Sequence, residues 1–171
     1  MTPQVNREKR GSAFIDVGDE FIYKIRIIFK DMNLKLKVLT RSLWVYHAGC
    51  SACNNCDIEI LDTLTPRYDV ERFGIVLVGS IRHADVLLVT GIPNYKTGEE
   101  LKRLYGQAPK PCLVIAIGNC ACGRAMFKDS YNSPCAVDEI IPVDCYILGC
   151  PPKPEAIIAG VVKLIQKVGK K

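Results

Sequence analysis

Two near-continuous apolar runs, ADVLLVTGI (84–92) and CLVIAIG (112–118), constrain this chain more than anything else in it. Both are too short to cross a bilayer and too unbroken for strands wetted on one side. Strands of that kind belong to a sheet covered on both faces. Between them GEELKRLYGQ (98–107), bounded by Gly and Pro signals, reads as a helix. The same alternation extends both ways. LWVY (43–46) reads as a buried strand entering a loop, His47–Asn55, and IEILDTL (58–64) as a helix with Asp57 and Glu59 suited to its N-terminal dipole. IVLVGS (75–80) is a strand or extended segment, and EIIPVDCYILG (139–149) carries a short last strand. PEAIIAGVVKLIQKVGKK (154–171) closes the chain as a helix, apolar at 157, 158, 161, 162, 164 and 165 with a basic end. The expectation is an α/β fold, a mostly parallel sheet with helices on both faces.

In such sheets the functional crevice lies beyond the C-terminal strand ends. Cys53 and Cys56 follow strand 43–46, Cys120 follows strand 112–118, and Cys150 follows the last strand. All four therefore fall on that edge by sequence order. Cys53-Asn-Asn-Cys56 has the two-residue spacing that serves neighbouring irons of one cluster. Cys120 lies in GNCACG, where glycine permits close backbone approach, and Cys150 in GCPPKP, where proline stiffens the chain.

The chain has nine cysteines, so the other five need an account. Cys112 and Cys145 begin or lie inside apolar strands and read as small buried hydrophobes; Cys135 reads as an inert loop thiol. Cys50 and Cys122 are alternatives to their neighbours as ligands, or partners in a thiol pair or disulfide. A structural zinc site is the rival for any four-cysteine set. Such sites pair two close knuckles, whereas long stretches separate Cys56 from Cys120 and Cys120 from Cys150. The rival function is a zinc- or thiol-stabilised scaffold without a redox role. An FMN site is disfavoured because the loop after the first strand, HAGCSACNNC, offers cysteines where phosphate binding wants Ser, Thr and Gly.

Charge and composition narrow the surroundings. At 171 residues with a net charge of +5, one domain and a tail are expected: an N-terminal arm and basic segment over 1–42, then the α/β domain over 43–171. No aromatic–basic interleaving points to nucleic acid. The start of the chain lacks a signal-like apolar stretch, so a reducing, cytoplasmic setting is expected, where clustered cysteines read as metal ligands. Segment 21–41 carries six Lys and Arg interleaved with apolar residues, the composition of an element lying on a membrane or on membrane subunits, or equally of a surface element of the domain.

Several segments resemble the small-subunit family shared by respiratory complex I and membrane-bound, energy-converting nickel–iron hydrogenases, with a related branch that reduces sulfane sulfur. They are CNNCDIEI (53–60), GSIRHADVLLVTG (79–91), AIGNCACGRAMF (116–127) and IIPVDCYILGCPPKPEAI (140–157). The resemblance implies a flavodoxin-like fold carrying one [4Fe–4S] cluster on Cys53, Cys56, Cys120 and Cys150, at the C-terminal strand edge. It implies a large catalytic partner subunit, a ferredoxin-like iron–sulfur subunit upstream, and membrane-embedded subunits that place the chain peripherally on the cytoplasmic face. It further implies that Arg82 lies near the cluster and raises its potential, that Glu59 is an acid facing the partner, and that His83 is either a redox-linked proton carrier or a satisfied structural histidine. The CxxC spacing resembles the hydrogenase branch; complex I proper has two adjacent cysteines there. Cys50 and Cys122 depart from the family pattern.

Overall fold

A computed structural model describes residues 42–169. The expected N-terminal arm and the basic segment 21–41 lie outside the described residues. Ten strands and helices build the rest: β1 (Leu43–Cys50), α1 (Asn55–Asp62), β2 (Ile75–Leu77), β3 (Val86–Gly91), α2 (Tyr95–Gln107), β4 (Leu113–Ile117), α3 (Gly118–Gly123), α4 (Val137–Ile140), β5 (Cys145–Ile147) and α5 (Pro154–Gly169). The five strands form one sheet, order β2-β1-β3-β4-β5, every pair parallel. That is the flavodoxin-like order, with its topological switch between β1 and β3.

Period-two alternation explains why the strands are apolar throughout. Leu87, Val89, Val114 and Ala116 face a core completed by Leu101 of α2, Ala121 of α3 and Val137 of α4. Val86, Leu88, Ile115 and Ile117 face the opposite core, completed by Ile60 of α1 and by Ile157, Val161, Leu164 and Ile165 of α5. Each such large side chain contributes roughly 1.5–3 kcal/mol by leaving water.

Element boundaries differ from expectation for identifiable reasons. β1 runs four residues past Tyr46, because its pairing with β3 continues to Cys50 opposite Gly91. Cys50 is thus a strand residue, not a loop residue. α2 begins at Tyr95, three residues early, through a capping box. The Asn94 side chain accepts from the Lys96 and Thr97 amides (2.9 and 2.8 Å), and Thr97 Oγ1 accepts from the Asn94 amide (3.0 Å). Cys120, expected in a loop, sits in the short helix α3 that starts directly at the end of β4.

Candidate metal centre

The loop between β1 and α1 carries Cys53 and leads directly into Cys56, the second residue of α1. Its course is dictated by contact with β3: Gly91 has φ +80°, and a Cβ there would overlap the Cys50 carbonyl oxygen and stand 2.6 Å from the Ala52 nitrogen. Ser51 and Asn54 take left-handed conformations (φ 53° and 70°) to complete the turn. Asn94 Nδ2 donates to Ser51 Oγ at 2.7 Å, tying the loop to the start of α2.

The segments holding Cys120 and Cys150 are clamped to each other. The Asn119 amide donates to the Gly149 carbonyl at 2.9 Å, and the Gly149 amide donates to Asn119 Oδ1 at 2.9 Å. Gly149, with φ +152°, has Pro152 packed where a Cβ would be. Gly118, with φ +89°, has the Cys56 sulfur where its Cβ would be, so the β4 exit touches the α1 thiol. Three strand ends are thereby drawn to one place.

Electrostatics registers the same convergence. Burial pushes the Cys56 thiol up to about 11, with further upward pushes from Cys53, Cys120, Asp57 and Cys150. Cys120 is raised by burial, then by Cys150 and Cys53. Cys53 and Cys150 thus stand near both Cys56 and Cys120; Cys56 and Cys120 are half-buried, Cys53 and Cys150 exposed. Among the described residues no three His, Cys, Asp or Glu side chains stand close enough to enclose a single metal ion. Sulfurs bound tetrahedrally to zinc at about 2.3 Å lie only about 3.8 Å apart. Four thiols on segments that meet at one sheet edge, with a glycine leaving room beside Cys56, are a donor set suited to an iron–sulfur cluster, and the residues fit that group.

Cys50 and Cys122 do not join this group. On β1 the odd positions face α1 and the even positions face α2, so Cys50 points to the opposite side of the sheet from Cys56; it is 3% exposed. Cys122 is 5% exposed in the same core as Cys50, its Sγ lying 3.5 and 3.6 Å from the Ala116 and Ile147 carbonyl oxygens. Burial pushes the two thiols up to about 11 and about 12. All nine cysteines are free, so no disulfide joins them. Cys112 and Cys145, expected to be buried, are half-buried and pack against the edges of the two cores.

Arg82 and His83 lie in the segment between β2 and β3. They form a 3-10 turn, Ile81–His83, that precedes β3 and so lies at the N-terminal edge of the sheet. The His83 ring meets the Trp44 ring edge-on at 6.1 Å, at the start of β1. About 16 Å of strand separates that edge from the cysteines, and both residues are exposed. Glu59 lies one turn beyond Cys56 on α1, half-exposed.

One constellation escaped sequence reasoning. Thr90 Oγ1 donates to Asp57 Oδ1 at 2.6 Å, and His47 Nε2 lies 2.9 Å from Thr90 Oγ1 and 3.0 Å from Asp57 Oδ1. Asp57 looked like a first-turn acid satisfied by the helix dipole. The available signal was Thr90, a lone hydroxyl in an apolar run that had to find a partner.

Of the exposed large apolar residues, Trp44 and Val76 lie on strands β1 and β2 and Leu61 late in α1, while six others lie toward the cysteine side. Ile58, Tyr95, Met126, Phe127, Tyr131 and Leu148 all sit in segments that leave the C-terminal ends of strands. Among the described residues no helix is long and apolar enough to cross a membrane.

Comparison with known proteins adds a family. Residues 53–164 match the family described as NADH ubiquinone oxidoreductase, 20 Kd subunit. A probable membrane-bound hydrogenase subunit of Pyrococcus furiosus is 52% identical over 134 residues, 78% of this chain and 80% of that protein. A subunit of the NADH-quinone oxidoreductase of Amoebophilus asiaticus is 43% identical over 131 residues, 76% of this chain and 80% of that protein. A chain of the membrane-bound sulfane sulfur reductase, an archaeal respiratory membrane complex, superposes with a TM-score of 0.70 at 38% identity, covering 80% of this chain and 76% of that one.

Proposed function

The chain belongs to the NADH ubiquinone oxidoreductase 20 Kd subunit family, and on that premise we propose that it is the electron-relay subunit of a membrane-bound, ion-pumping oxidoreductase of the hydrogenase or sulfane sulfur reductase type. As its relatives are, it is a subunit of a multi-subunit oxidoreductase. In the proposed role one [4Fe–4S] cluster is held by Cys53, Cys56, Cys120 and Cys150 and supplies one-electron transfer between a ferredoxin-like subunit and the active site of a large partner.

The observation that carries this reading is the meeting of three strand ends, with Gly118 against the Cys56 sulfur and Asn119 bonded to Gly149. The chain's own residues support it further. The Asn119–Gly149 clamp holds two of the thiol-bearing segments together, and Gly118 leaves space beside a third thiol. The apolar residues exposed in segments beyond the strand ends, with Cys53 and Cys150 exposed too, suit burial by a partner, which would exclude water from the site. Glu59, one turn from Cys56, is the proposed polar group at that junction.

Iron and acid-labile sulfide analysis of the anaerobically purified protein tests the proposal. Four irons and four sulfides per chain are expected for the wild type. Zinc without sulfide would replace the reading by a structural scaffold. Cys53→Ala and Cys150→Ala are each expected to abolish the cluster, and four irons retained in either variant would refute the ligand set.

A further inference from the structure

Thr90 is wholly buried on β3, and its hydroxyl reaches across to Asp57 in the first turn of α1. A carboxylate only accepts hydrogen bonds, and the single Thr90 proton points to Asp57 at 2.6 Å. His47 Nε2, within 3.0 Å of both oxygens, therefore carries a hydrogen and donates. Asp57 Oδ1 thus accepts from Thr90 on β3, whose oxygen takes the His47 hydrogen from β1, and it stands 3.0 Å from that ring, at the topological switch of the sheet. A first-turn acid placed only for the dipole would need neither strand; this one is fixed by tertiary contacts.

We propose that Thr90 and His47 are positioning residues that hold the Asp57 carboxylate beside the Cys56 ligand, and that this fixed negative charge lowers the reduction potential of the cluster. The inference rests on the cluster reading given above. Asp57 follows Cys56 directly in the first turn of α1, so the carboxylate held by Thr90 is a negative charge on the residue next to the ligand. An electron added to iron bound at the Cys56 sulfur is repelled by that charge, so the oxidised state is favoured. Thr90, from inside the sheet, denies the carboxylate the freedom to turn to solvent, and His47 holds it from the neighbouring strand.

The test is a redox titration of the purified complex followed by electron paramagnetic resonance, reading the signal that Cys150→Ala removes. Asp57→Asn is expected to shift that potential to a more positive value with iron and sulfide content unchanged. Thr90→Val, which keeps the shape and removes the hydroxyl, is expected to shift it in the same direction by less, and Thr90→Ser to restore the wild-type potential. An unshifted potential in a fully loaded Asp57→Asn complex overturns the inference and leaves the cluster reading intact. If that variant does not assemble, equal potentials for Thr90→Val and Thr90→Ser overturn it. A wild-type chain without iron and sulfide overturns the cluster reading and the inference with it.

Discussion

A methyl group on Gly118 would stand 2.7 Å from the Cys56 sulfur, closer than side-chain carbons approach in folded proteins. The end of β4 and the thiol on α1 are therefore in direct contact, although they are far apart in sequence. Gly118→Ala adds a left-handed conformation that a Cβ tolerates poorly, at about 1–2 kcal/mol. The sulfur can yield only by rotating away from its three companions. Lower stability in urea and a lower iron content are both expected. Gly106→Ala is the control: nothing lies within 4 Å of a Cβ there, and replacing a helical glycine stabilises by up to about 1 kcal/mol.

Cys50 and Cys122 are core residues, so Cys50→Ala and Cys122→Ala should leave iron and sulfide content unchanged while each costs about 1 kcal/mol. Both thiols are raised from 9.0, to about 11 and about 12, by burial. Above pH 9 the unfolded chain loses these protons and the folded chain keeps them, so stability falls as pH rises toward 11. Each thiol accounts for at most about 1.4 kcal/mol per pH unit in that window. Urea unfolding at pH 8, 9, 10 and 11 should show the decline, and the double Ala variant a shallower one.

Arg82 lies at the N-terminal edge of the sheet, exposed and remote from the cysteines. Arg82→Gln is accordingly expected to leave the cluster potential where it is in the wild type. A lowered potential in the redox titration would show that the guanidinium reaches the site after all.

Tyr68 donates its hydroxyl to Glu155 Oε1 at 2.5 Å, joining the loop after α1 to the first turn of α5. The bond raises Tyr68 to about 12, and Glu155 is lowered despite its partial burial. The contribution of a lowered carboxylate is present above its ordinary value of 4.5 and fades as acid protonates it. Tyr68→Phe should cost about 0.5–1.5 kcal/mol at pH 7 and less at pH 4, measured by chemical unfolding.

The basic segment 21–41 lies outside the described residues, and its composition carries its own expectation. Deleting it should release the chain from membrane fractions with its iron content unaltered. Unchanged co-sedimentation would show that the segment is not the membrane-facing element.

Layering and the site edge were legible in the residues alone, because burial on both faces of a sheet leaves a local mark. VLLVTG and LVIAI could be read as strands without knowing what covers them, and cysteines one loop beyond strand ends had to share an edge. Register and side-chain parity leave no such mark. Whether Cys50 faces α1 or α2 depends on how far β1 continues to pair with β3, which is a contact between distant segments. The same holds for Gly118 against Cys56, for Asp57 against His47 and Thr90, and for Arg82 at the opposite end of β3. Residue types in chain order suffice for a parallel sheet with four thiols at its C-terminal edge. How the segments that carry them meet was decided only by the folded chain, because strand order and pairing between distant segments leave no local pattern.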